Sequence, residues 1–450
     1  MKKIIRNVTV ISEGCTGLFD VLITGDRIEK VYYNDPTYRY LGYQTIDGTG
    51  KILIPGVIDD QVHFREPGNL MHKADIFTES RAAVAGGITS YFEQPNTGVQ
   101  TITEESWLKK NEIAKEKSFA NYGFNFGLTN TNAELTIKMA QKYKKTMPAI
   151  KIFMGSSTGD MLVDRQGVLE TVFYSSPIPI CVHCEDEETV KNNLEYYKDV
   201  YKGSYIPPHI HPLIRSAEAC WKSSAYAVAL AEKFNTRLHV YHITTAEELQ
   251  LFKNDIPLDK KRITSEACII HLNFAAGDYQ ELGHLIKQNP AVKTAKDRDA
   301  LFQAVLDGTI DVIATDHAPH TWEEKHGNYL TVPSGAPMVQ HSLVSMLEFY
   351  HQGKISLERV VELMCHNPAI IFNVADRGYI KEGCYADMVL VDLNDPWTVS
   401  KENILYKCGW SPFEGRTFKS KVVTTFVNGN IVYNKGDFFK HEAKQIEFDR

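Results

Sequence analysis

Several short apolar runs of this sequence carry a histidine that could bind a metal ion. His63 lies in PGVIDDQVHFREPG, His183 ends IPICVH and His242 ends RLHVYH. A lone histidine in such a run is more simply a polar residue of an edge strand facing water, but imidazole nitrogen is also a common zinc ligand. His183 and His242 are both followed by acidic residues typical of the first turn of a helix. Both strands are therefore expected to deliver an imidazole to one rim.

A lysine and an aspartate add possible oxygen ligands to this set. Lys151 lies inside the apolar run AIKIFM, where burial of a bare ammonium is costly. It needs an ionic partner, a path to solvent for its charge, or a modification; a carbamate formed with carbon dioxide would be an anionic ligand able to bridge metals. Asp316 ends DVIATD and in isolation is more simply a helix N-cap. Together with the three histidines, Lys151 and Asp316 form a mixed nitrogen and oxygen set suited to Zn²⁺.

Strand alternation predicts which side chains share a face. Gln61, His63 and Arg65 are spaced by two and would lie on one side of a strand. By the same rule His242 shares the face of the leucine and valine before it, whereas His239 points the opposite way, toward the helices. We expect His242 to be a ligand and His239 to be structural.

The elements that must position these residues follow one repeated pattern from 55 to 377. A short β-branched run is followed by a polar loop and a helix-like stretch. The runs are SYFEQ, NYGFNFG, AIKIFM, IPICVH, RLHVYHI, RITSEA and DVIATDH. Alternating strands and helices predict parallel strands, and this many predict an α/β protein with a (β/α)8 TIM-like barrel. The candidate residues fall at the strand ends, the edge that builds the active site in such barrels.

The two ends of the chain have a different pattern. Residues 1–54 contain NVTVIS and LFDVLITGDRIEKVYY, and residues 378–450 contain DMVLVDL and VTTFVNGNIVY with the turn pair Asn428-Gly429. Alternation around turn residues is typical of antiparallel hairpins. Neither end has enough strands for a sheet of its own, so we predict that both termini join in one small β domain.

Composition narrows the class of function. The 450 residues are 43% hydrophobic and 23% charged, which is typical of a globular protein. A net charge of −7 argues against nucleic acid, and the lack of a long apolar run argues against a membrane partner and for a cytoplasmic location. Eight scattered cysteines indicate reduced thiols. The close pair Cys181 and Cys184 has the spacing of a zinc knuckle or a redox pair, but no second pair follows, so a structural role in a buried strand is favoured. A small-molecule substrate is favoured, and assembly into a homo-oligomer is left open.

The motifs taken in order resemble those of the dihydroorotases, cyclic amidohydrolases of the amidohydrolase superfamily. The match covers PGVIDDQVHFREPG, KIFMGSSTG, VHCED, HVYHITT and ATDHAPHTWEEK, and the ends also fit the small β domain of that superfamily. The resemblance implies one or two Zn²⁺ per chain held by His63, carboxylated Lys151, His183, His242 and Asp316. Substrate contacts are implied for Arg65, Asn96, Asn289, His320 and Gly335.

The sequence departs from the family pattern at a few positions. The usual HxH motif has Gln61 in place of its first histidine, and Lys293 stands where arginine is common. Met338 and Gln340 replace an expected glycine and glutamate. The change at Gln61 bears most directly on the first metal position: Gln61 could offer a weak carbonyl oxygen, leave the place to water, or indicate a protein that has lost activity.

The resemblance implies reversible interconversion of N-carbamoyl-L-aspartate and L-dihydroorotate in pyrimidine biosynthesis, with Asp316 as the catalytic proton carrier. Two alternatives stay open. One is a dihydropyrimidinase, hydantoinase or allantoinase type of hydrolase, which shares the barrel and the bridging lysine. The other is an inactive homologue that serves as a scaffold, for which Gln61 is the support. Residues 321–336 could form a mobile lid or a static loop.

Overall fold

The computed structural model describes residues 2–35, 41–155, 161–202 and 204–450. The last part of the KIFMGSSTG motif, residues 156–159, lies outside the described residues. Strands of the N-terminal segment are β1 (Lys2–Ser12), β2 (Cys15–Thr24), β3 (Arg27–Tyr33), β4 (Gln44–Asp47) and β5 (Ile52–Pro55). Strands of the central segment are β6 (Val57–Val62), β7 (Ile88–Glu93), β8 (Asn121–Phe124), β9 (Phe126–Gly127), β10 (Ile150–Phe153), β11 (Ile180–His183), β12 (Leu238–Val240), β13 (Ile263–Cys268) and β14 (Val312–Ala314). Strands of the C-terminal segment are β15 (Met388–Asp392), β16 (Trp397–Thr398), β17 (Thr417–Phe418), β18 (Lys421–Val427), β19 (Asn430–Asn434) and β20 (Asp437–Phe438).

The α-helices lie between the central strands and beyond them. They are α1 (Ile76–Ala85), α2 (Glu104–Lys117), α3 (Ala133–Lys142), α4 (Gln166–Ser175), α5 (Glu187–Val200), α6 (His211–Ile214), α7 (Ala217–Phe234), α8 (Ile269–Asn273), α9 (Tyr279–Leu282), α10 (Ala295–Asp307), α11 (Ser342–His351), α12 (Leu357–Val361) and α13 (Asn367–Phe372). Side-chain caps mark several starts: Asp75 caps α1 and Thr294 caps α10, each accepting a hydrogen bond from a backbone N–H of the first turn.

The central strands are parallel and close into the predicted barrel. Pairing runs from β6 through β7 to β8, and from β9, which continues β8 after Asn125, through β10, β11, β12 and β13 to β14. The His63 N–H donates to the His317 carbonyl at 2.7 Å and joins the first strand to the last. Each of the seven predicted runs overlaps a strand of this barrel. The fold class is therefore confirmed.

An apolar plug closes the amino-terminal end of the barrel. Ile58 and Phe92 from the strands, with Tyr241 just after β12, pack with Phe372 of α13 and with Phe448 near the C-terminus. Burial of these side chains stabilises the barrel by about 25 cal/mol for each Å² of apolar surface removed from water. Since one end is filled, chemistry is confined to the interior above the plug and to the carboxyl ends of the strands.

Both termini build one mixed sheet beside the barrel. Its order is β20-β19-β18-β15-β5-β1-β2-β3, with β4 pairing with β1. The antiparallel pairing of β5 with β15 joins the N-terminal and C-terminal segments, as predicted. The extreme C-terminus leaves this sheet: Gln445 bridges to Tyr122 of the barrel, and Phe448 bridges to Val374. The last residues thus pack against the barrel, although the sequence assigns them to the small domain.

Within the described part of the chain, every helix is too short or too polar to cross a bilayer.

Candidate metal centre and active site

A small cavity of about 60 Å³ opens at the carboxyl ends of the barrel strands. Its lining contains most of the residues singled out from the sequence. The lining residues are Gln61, His63, Arg65, Asn96, Lys151, Phe153, His183, His242, Gln288, Asn289, Asp316, Ala318 and Ser334. The five proposed metal ligands and three of the five proposed substrate contacts are therefore brought together, while His320 and Gly335 lie just behind the wall.

His183 and His242 face each other across the cavity. Nδ1 of His183 lies 2.9 Å from Nε2 of His242, and the other ring nitrogen of His183 lies 2.9 Å from Oε2 of Glu185. Despite burial, the Arg215 guanidinium beside Glu185 holds the pKa of that carboxyl at about 2, so it is an acceptor and fixes the proton of His183 on Nε2. Burial lowers the pKa of both imidazoles. The free lone pair of His183 therefore points toward His242.

Lys151 is the unusual cation of the cavity. Its Nζ is buried and has no hydrogen-bond partner, and it lies over the rings of Tyr241 at 4.2 Å and Phe153 at 4.8 Å. Burial lowers its pKa to about 8, although Cys181, Asp316 and Glu266 oppose that shift. The ion-paired alternative of the sequence does not apply to this side chain. A neutral, unpartnered amine is the form that reacts with carbon dioxide.

His63 and Asp316 form the other side of the cavity. Nε2 of His63 lies 3.2 Å from Oδ1 of Asp316, and burial lowers the pKa of His63 to about 4. The Gln288 amide donates to Oδ2 of Asp316 and, at 3.2 Å, to its carbonyl. Gln61 lies next to His63, and its Oε1 lies 3.6 Å from Sγ of Cys268. This side therefore offers one imidazole where the HxH pattern would offer two.

A cationic group lies above the metal-binding side chains. Arg65 is buried, its Nε donates to the Pro319 carbonyl at 3.2 Å, and its NH2 lies 3.2 Å from Nε2 of His320. Nζ of Lys73 lies 3.0 Å from Nδ1 of His320 and 3.1 Å from Glu324. Burial lowers the pKa of Arg65 to about 10, so the guanidinium stays charged at neutral pH. A buried cation opening onto a cavity is suited to a substrate carboxylate.

The remaining predicted substrate contacts differ in whether their polar atoms already have hydrogen-bond partners. The side-chain oxygens of Asn96 and Asn289 are buried without a partner, so both can take a donor from a ligand. Gly335 has φ of +141°, and a Cβ there would lie 2.2 Å from the Ala318 carbonyl, which explains the glycine. Its N–H donates to the Lys287 carbonyl at 2.8 Å. Contact of Gly335 with a substrate stays a prediction.

Two buried lysines, Lys287 and Lys325, hold the segment 321–336 in place through hydrogen bonds. Lys325 donates to the carbonyls of Lys287, Pro333 and Gly335 at 2.8 to 3.2 Å. Lys287 donates to the carbonyls at 329 and 332 at 2.7 and 2.6 Å. Opening this segment would break these buried hydrogen bonds between the two lysine amines and the backbone carbonyls. These contacts favour the static alternative over a mobile lid.

Strand alternation was wrong about the directions of two side chains, Arg65 and His239. Strand β6 ends at Val62, and Arg65 has φ of +68°, so it does not share a strand face with His63. On β12 the face toward the interior belongs to His239, which lies 3.1 Å from Asp60 on a strand that is not its neighbour. The prediction that His239 points toward the helices is therefore wrong, because the apolar face of β12 packs outward instead.

Left-handed backbone turns the decisive side chains inward. His242 and Asp316 follow the ends of β12 and β14 with φ of 43° and 45°. Such conformations cost on the order of 1–3 kcal/mol each and occur mostly at functional sites. The residues that follow Asp316, all of them described, form a loop rather than a helix, so its N-cap alternative is excluded. Nothing in strand periodicity signals these turns.

Sequence reasoning missed several residues of the site. Gln288 holds Asp316, Glu185 holds His183, and Lys73 contacts His320. Two of them could have been found from their positions in the sequence. Gln288 directly precedes a predicted substrate contact, and Glu185 follows a predicted ligand by two residues. By contrast, Met338 and Gln340 lie outside the cavity lining, and the amide of Gln340 bonds to backbone near 403 and 405.

The residues present fit a bound divalent ion. His183 and His242 direct ring nitrogens at each other at 2.9 Å, and Nζ of Lys151 lies buried and unpartnered in the same cavity. Neutral imidazole and anionic oxygen are ligands that Zn²⁺ accepts. Glu185 accepts a hydrogen bond from the other ring nitrogen of His183, and a carboxylate in that place commonly orients a metal-binding histidine. The donor set and its orienting partners thus match a metal centre better than a purely structural polar core.

Comparisons with known proteins agree with this description. Residues 52–432 match the model of the Amidohydrolase family. The chain is 32% identical to a dihydroorotase of Methanosphaera stadtmanae, covering 88% of each chain. It is 33% identical to a dihydroorotase of Endomicrobium trichonymphae, covering 92% of this chain and 94% of the other.

Solved structures support the fold alone. An L-hydantoinase from Arthrobacter aurescens superposes with a TM-score of 0.90 at 24% identity, covering 99% of this chain and 100% of the other. A dihydropyrimidinase from Brevibacillus agri superposes with a TM-score of 0.88 at 23% identity, covering both chains fully. Family, motif order and site geometry agree, and the chain belongs to the dihydroorotases of the amidohydrolase family.

Proposed function

We propose that this protein catalyses the reversible interconversion of N-carbamoyl-L-aspartate and L-dihydroorotate, the ring-closing step of pyrimidine synthesis. The observation that carries the proposal is the joint placement of the metal-ligand set and the buried Arg65 around one cavity. The relatives named dihydroorotase, matched over most of their length, support it. Membership of the dihydroorotases makes the protein a hydrolase of cyclic amide bonds, so the proposal concerns which cyclic amide is the substrate.

The metal is proposed to be zinc, held by His63, carboxylated Lys151, His183, His242 and Asp316. Support comes from the neutral imidazoles, from the unpartnered amine of Lys151 and from the carboxylate of Asp316 beside His63. When bound, such an ion supplies a Lewis acid for the amide carbonyl and makes a nearby water more acidic. Gln61 offers a weaker ligand on the His63 side, so we expect that side to hold its ion less tightly.

Asp316 is proposed to move the proton. In the hydrolytic direction a water oxygen adds to the ring carbonyl carbon, and Oδ1 of Asp316 takes its proton. The carbon–nitrogen bond then breaks, and the same proton passes to the leaving nitrogen. The Gln288 amide holds the opposite carboxylate oxygen and keeps Oδ1 beside His63. Ring closure runs the same steps in reverse.

The substrate carboxylate distinguishes this reaction from that of the hydantoinases and dihydropyrimidinases. Arg65 and the free amide oxygens of Asn96 and Asn289 line one cavity, with His320 bonded to Arg65 behind it. A guanidinium presents a rigid fork of donors that matches a carboxylate. Uncharged rings such as hydantoin or dihydrouracil would leave this buried cation without its partner.

A substrate panel tests the proposal directly. Purified protein with defined zinc content is assayed with dihydroorotate, dihydrouracil, hydantoin and allantoin, and with N-carbamoyl-L-aspartate in reverse. We expect turnover with dihydroorotate and its open-ring product only, lost in Asp316→Asn. A preference for any uncharged ring would replace the proposed substrate. A folded, zinc-loaded protein without turnover on any member would favour the inactive scaffold.

A further inference from the structure

A second polar cluster lies in the barrel interior, outside the cavity lining. It consists of Asp60 on β6, His239 on β12 and Glu266 on β13, all of them fully buried. Nε2 of His239 lies 3.1 Å from Oδ2 of Asp60 and 3.8 Å from Oε2 of Glu266. The reaction proposed above uses none of these groups. Burial of two carboxylates and an imidazole at this depth is costly without a partner.

The atoms that converge in this cluster have no hydrogen-bond partner. These atoms are both carboxylate oxygens of Asp60, Oε2 of Glu266 and Nε2 of His239. The 3.1 Å contact between Asp60 and His239 is not aligned as a hydrogen bond. The outward-facing atoms are satisfied, because Oε1 of Glu266 accepts from the His242 N–H at 3.2 Å and from Sγ of Cys268 at 3.1 Å. Among the carboxylate and imidazole atoms of the three residues, those that face the centre of the cluster lack a hydrogen-bond partner.

A neighbouring threonine orients the imidazole toward the carboxylates. Nδ1 of His239 lies 2.8 Å from the hydroxyl oxygen of Thr264, and that hydroxyl donates to the Leu238 carbonyl at 3.3 Å. The hydroxyl oxygen is then the acceptor, and Nδ1 carries the proton. In neutral His239 the lone pair of Nε2 therefore faces two carboxylates. That arrangement is repulsive unless a proton or a metal ion lies between them.

We propose that Asp60, His239 and Glu266 bind a divalent metal ion of the zinc class in the barrel interior, separate from the ions of the open cavity. Ligands at 2.0–2.2 Å from tetrahedral Zn²⁺ lie roughly 3.3–3.6 Å apart, and the observed separations of 3.1 and 3.8 Å bracket that range. The Thr264 contact is the kind of partner that orients a metal-binding histidine. The ion ties β6 to β12 and β13 below the active site and does not depend on the proposed substrate.

Zinc content and anomalous diffraction test this site. Protein produced with zinc is treated with a mild chelator, its zinc is counted, and crystals are measured on both sides of the zinc absorption edge. We expect the chelator to remove both ions of the open cavity before the enclosed ion, so that one zinc per chain survives with an anomalous peak between Asp60, His239 and Glu266. In Asp60→Asn that zinc is lost. In Asp59→Asn, a control at a buried neighbour that bonds to Thr315 instead, it is retained.

The contrary outcomes are distinct. An anomalous map of the wild-type protein without a peak in the cluster would show that no zinc lies between these side chains and would overturn the proposal, whether or not Asp60→Asn folds. Equal chelator-resistant zinc in wild type and folded Asp60→Asn would do the same. His183→Asn, which removes a ligand of the open cavity, is expected to keep the interior zinc. Activity enters none of these measurements, so failure of the proposed reaction would leave the result unchanged.

Discussion

Lys151 allows the sharpest test of the open site, because its burial sets how readily it can be carboxylated. Only the neutral amine reacts with carbon dioxide. With a pKa of about 8, about one tenth of Lys151 is neutral at pH 7, against about 0.03% for a lysine at the ordinary value of 10.5. Burial therefore raises the reactive fraction about 300-fold over an exposed lysine. A lowered pKa favours the neutral form, so the gain is present at neutral pH and shrinks above pH 8.

The assay is carbon NMR of protein loaded with ¹³C-bicarbonate and zinc. We expect one carbamate resonance in the wild-type protein and none in Lys151→Ala, which should also lose zinc from the open cavity. Lys110 is an internal control, since it is equally buried but pairs with Glu93 at 3.0 Å and donates to the Gln94 carbonyl. Its amine is engaged, so it should give no resonance in either protein.

Two results would refute this reasoning. A carbamate resonance that persists in Lys151→Ala would place the modification on another lysine. Full zinc content and full turnover in Lys151→Ala would remove the bridging ligand from the site, whatever the resonance shows. Short carboxylic acids added to Lys151→Ala offer a further check, because an acid that occupies the emptied space can replace the carbamate oxygens and restore zinc.

Three other substitutions follow from the geometry. Arg65→Met should weaken dihydroorotate binding about 10-fold to 150-fold, the worth of a charge-assisted hydrogen bond, and leave a ring analogue without the carboxylate nearly unchanged. Glu185→Gln should lower zinc affinity about 10-fold to 100-fold, because the orienting acceptor of His183 weakens. Gln61→His should tighten the looser open-cavity zinc, measured by chelator competition, without disturbing the barrel.

Each substitution has its own contrary outcome. Equal losses for dihydroorotate and the uncharged analogue would make Arg65 a structural residue. Glu187→Gln removes a charge at the start of α5, where Glu187 pairs with Lys191 at 3.3 Å, so equal zinc loss there would assign the effect to general electrostatics. For Gln61→His, two equally tight zincs in the natural protein would show that the amide already replaces the imidazole.

The strand ends that carry the candidate ligands were predictable because they follow from local patterns of apolar and polar residues. Alternating apolar runs and loops predicted the parallel barrel, and His63, Lys151, His183, His242 and Asp316 were predicted as one set from their places in those runs. All five line the same cavity. The terminal hairpins were predictable for the same reason, since alternation and the Asn428-Gly429 turn depend on neighbours in sequence.

The partners that orient the ligands were not predictable in this way. Gln288 reaches Asp316 and Arg215 reaches Glu185 from residues about 30 positions away, and single residues with positive φ turn His242 and Asp316 inward. Such contacts depend on how separate strands and loops meet, which periodicity does not record.

The sequence by itself determined the barrel, the two-ended β sheet and the list of residues able to bind metal, because each depends on short-range patterns of polarity and on residue chemistry. Only the tertiary structure decided which side of each strand faces the interior. His239 shows why: alternation separates its face from that of its neighbours but does not say which face the helices cover. Closure of the barrel settled that, and it placed His239 beside Asp60 and Glu266, two residues that no local pattern connects to it.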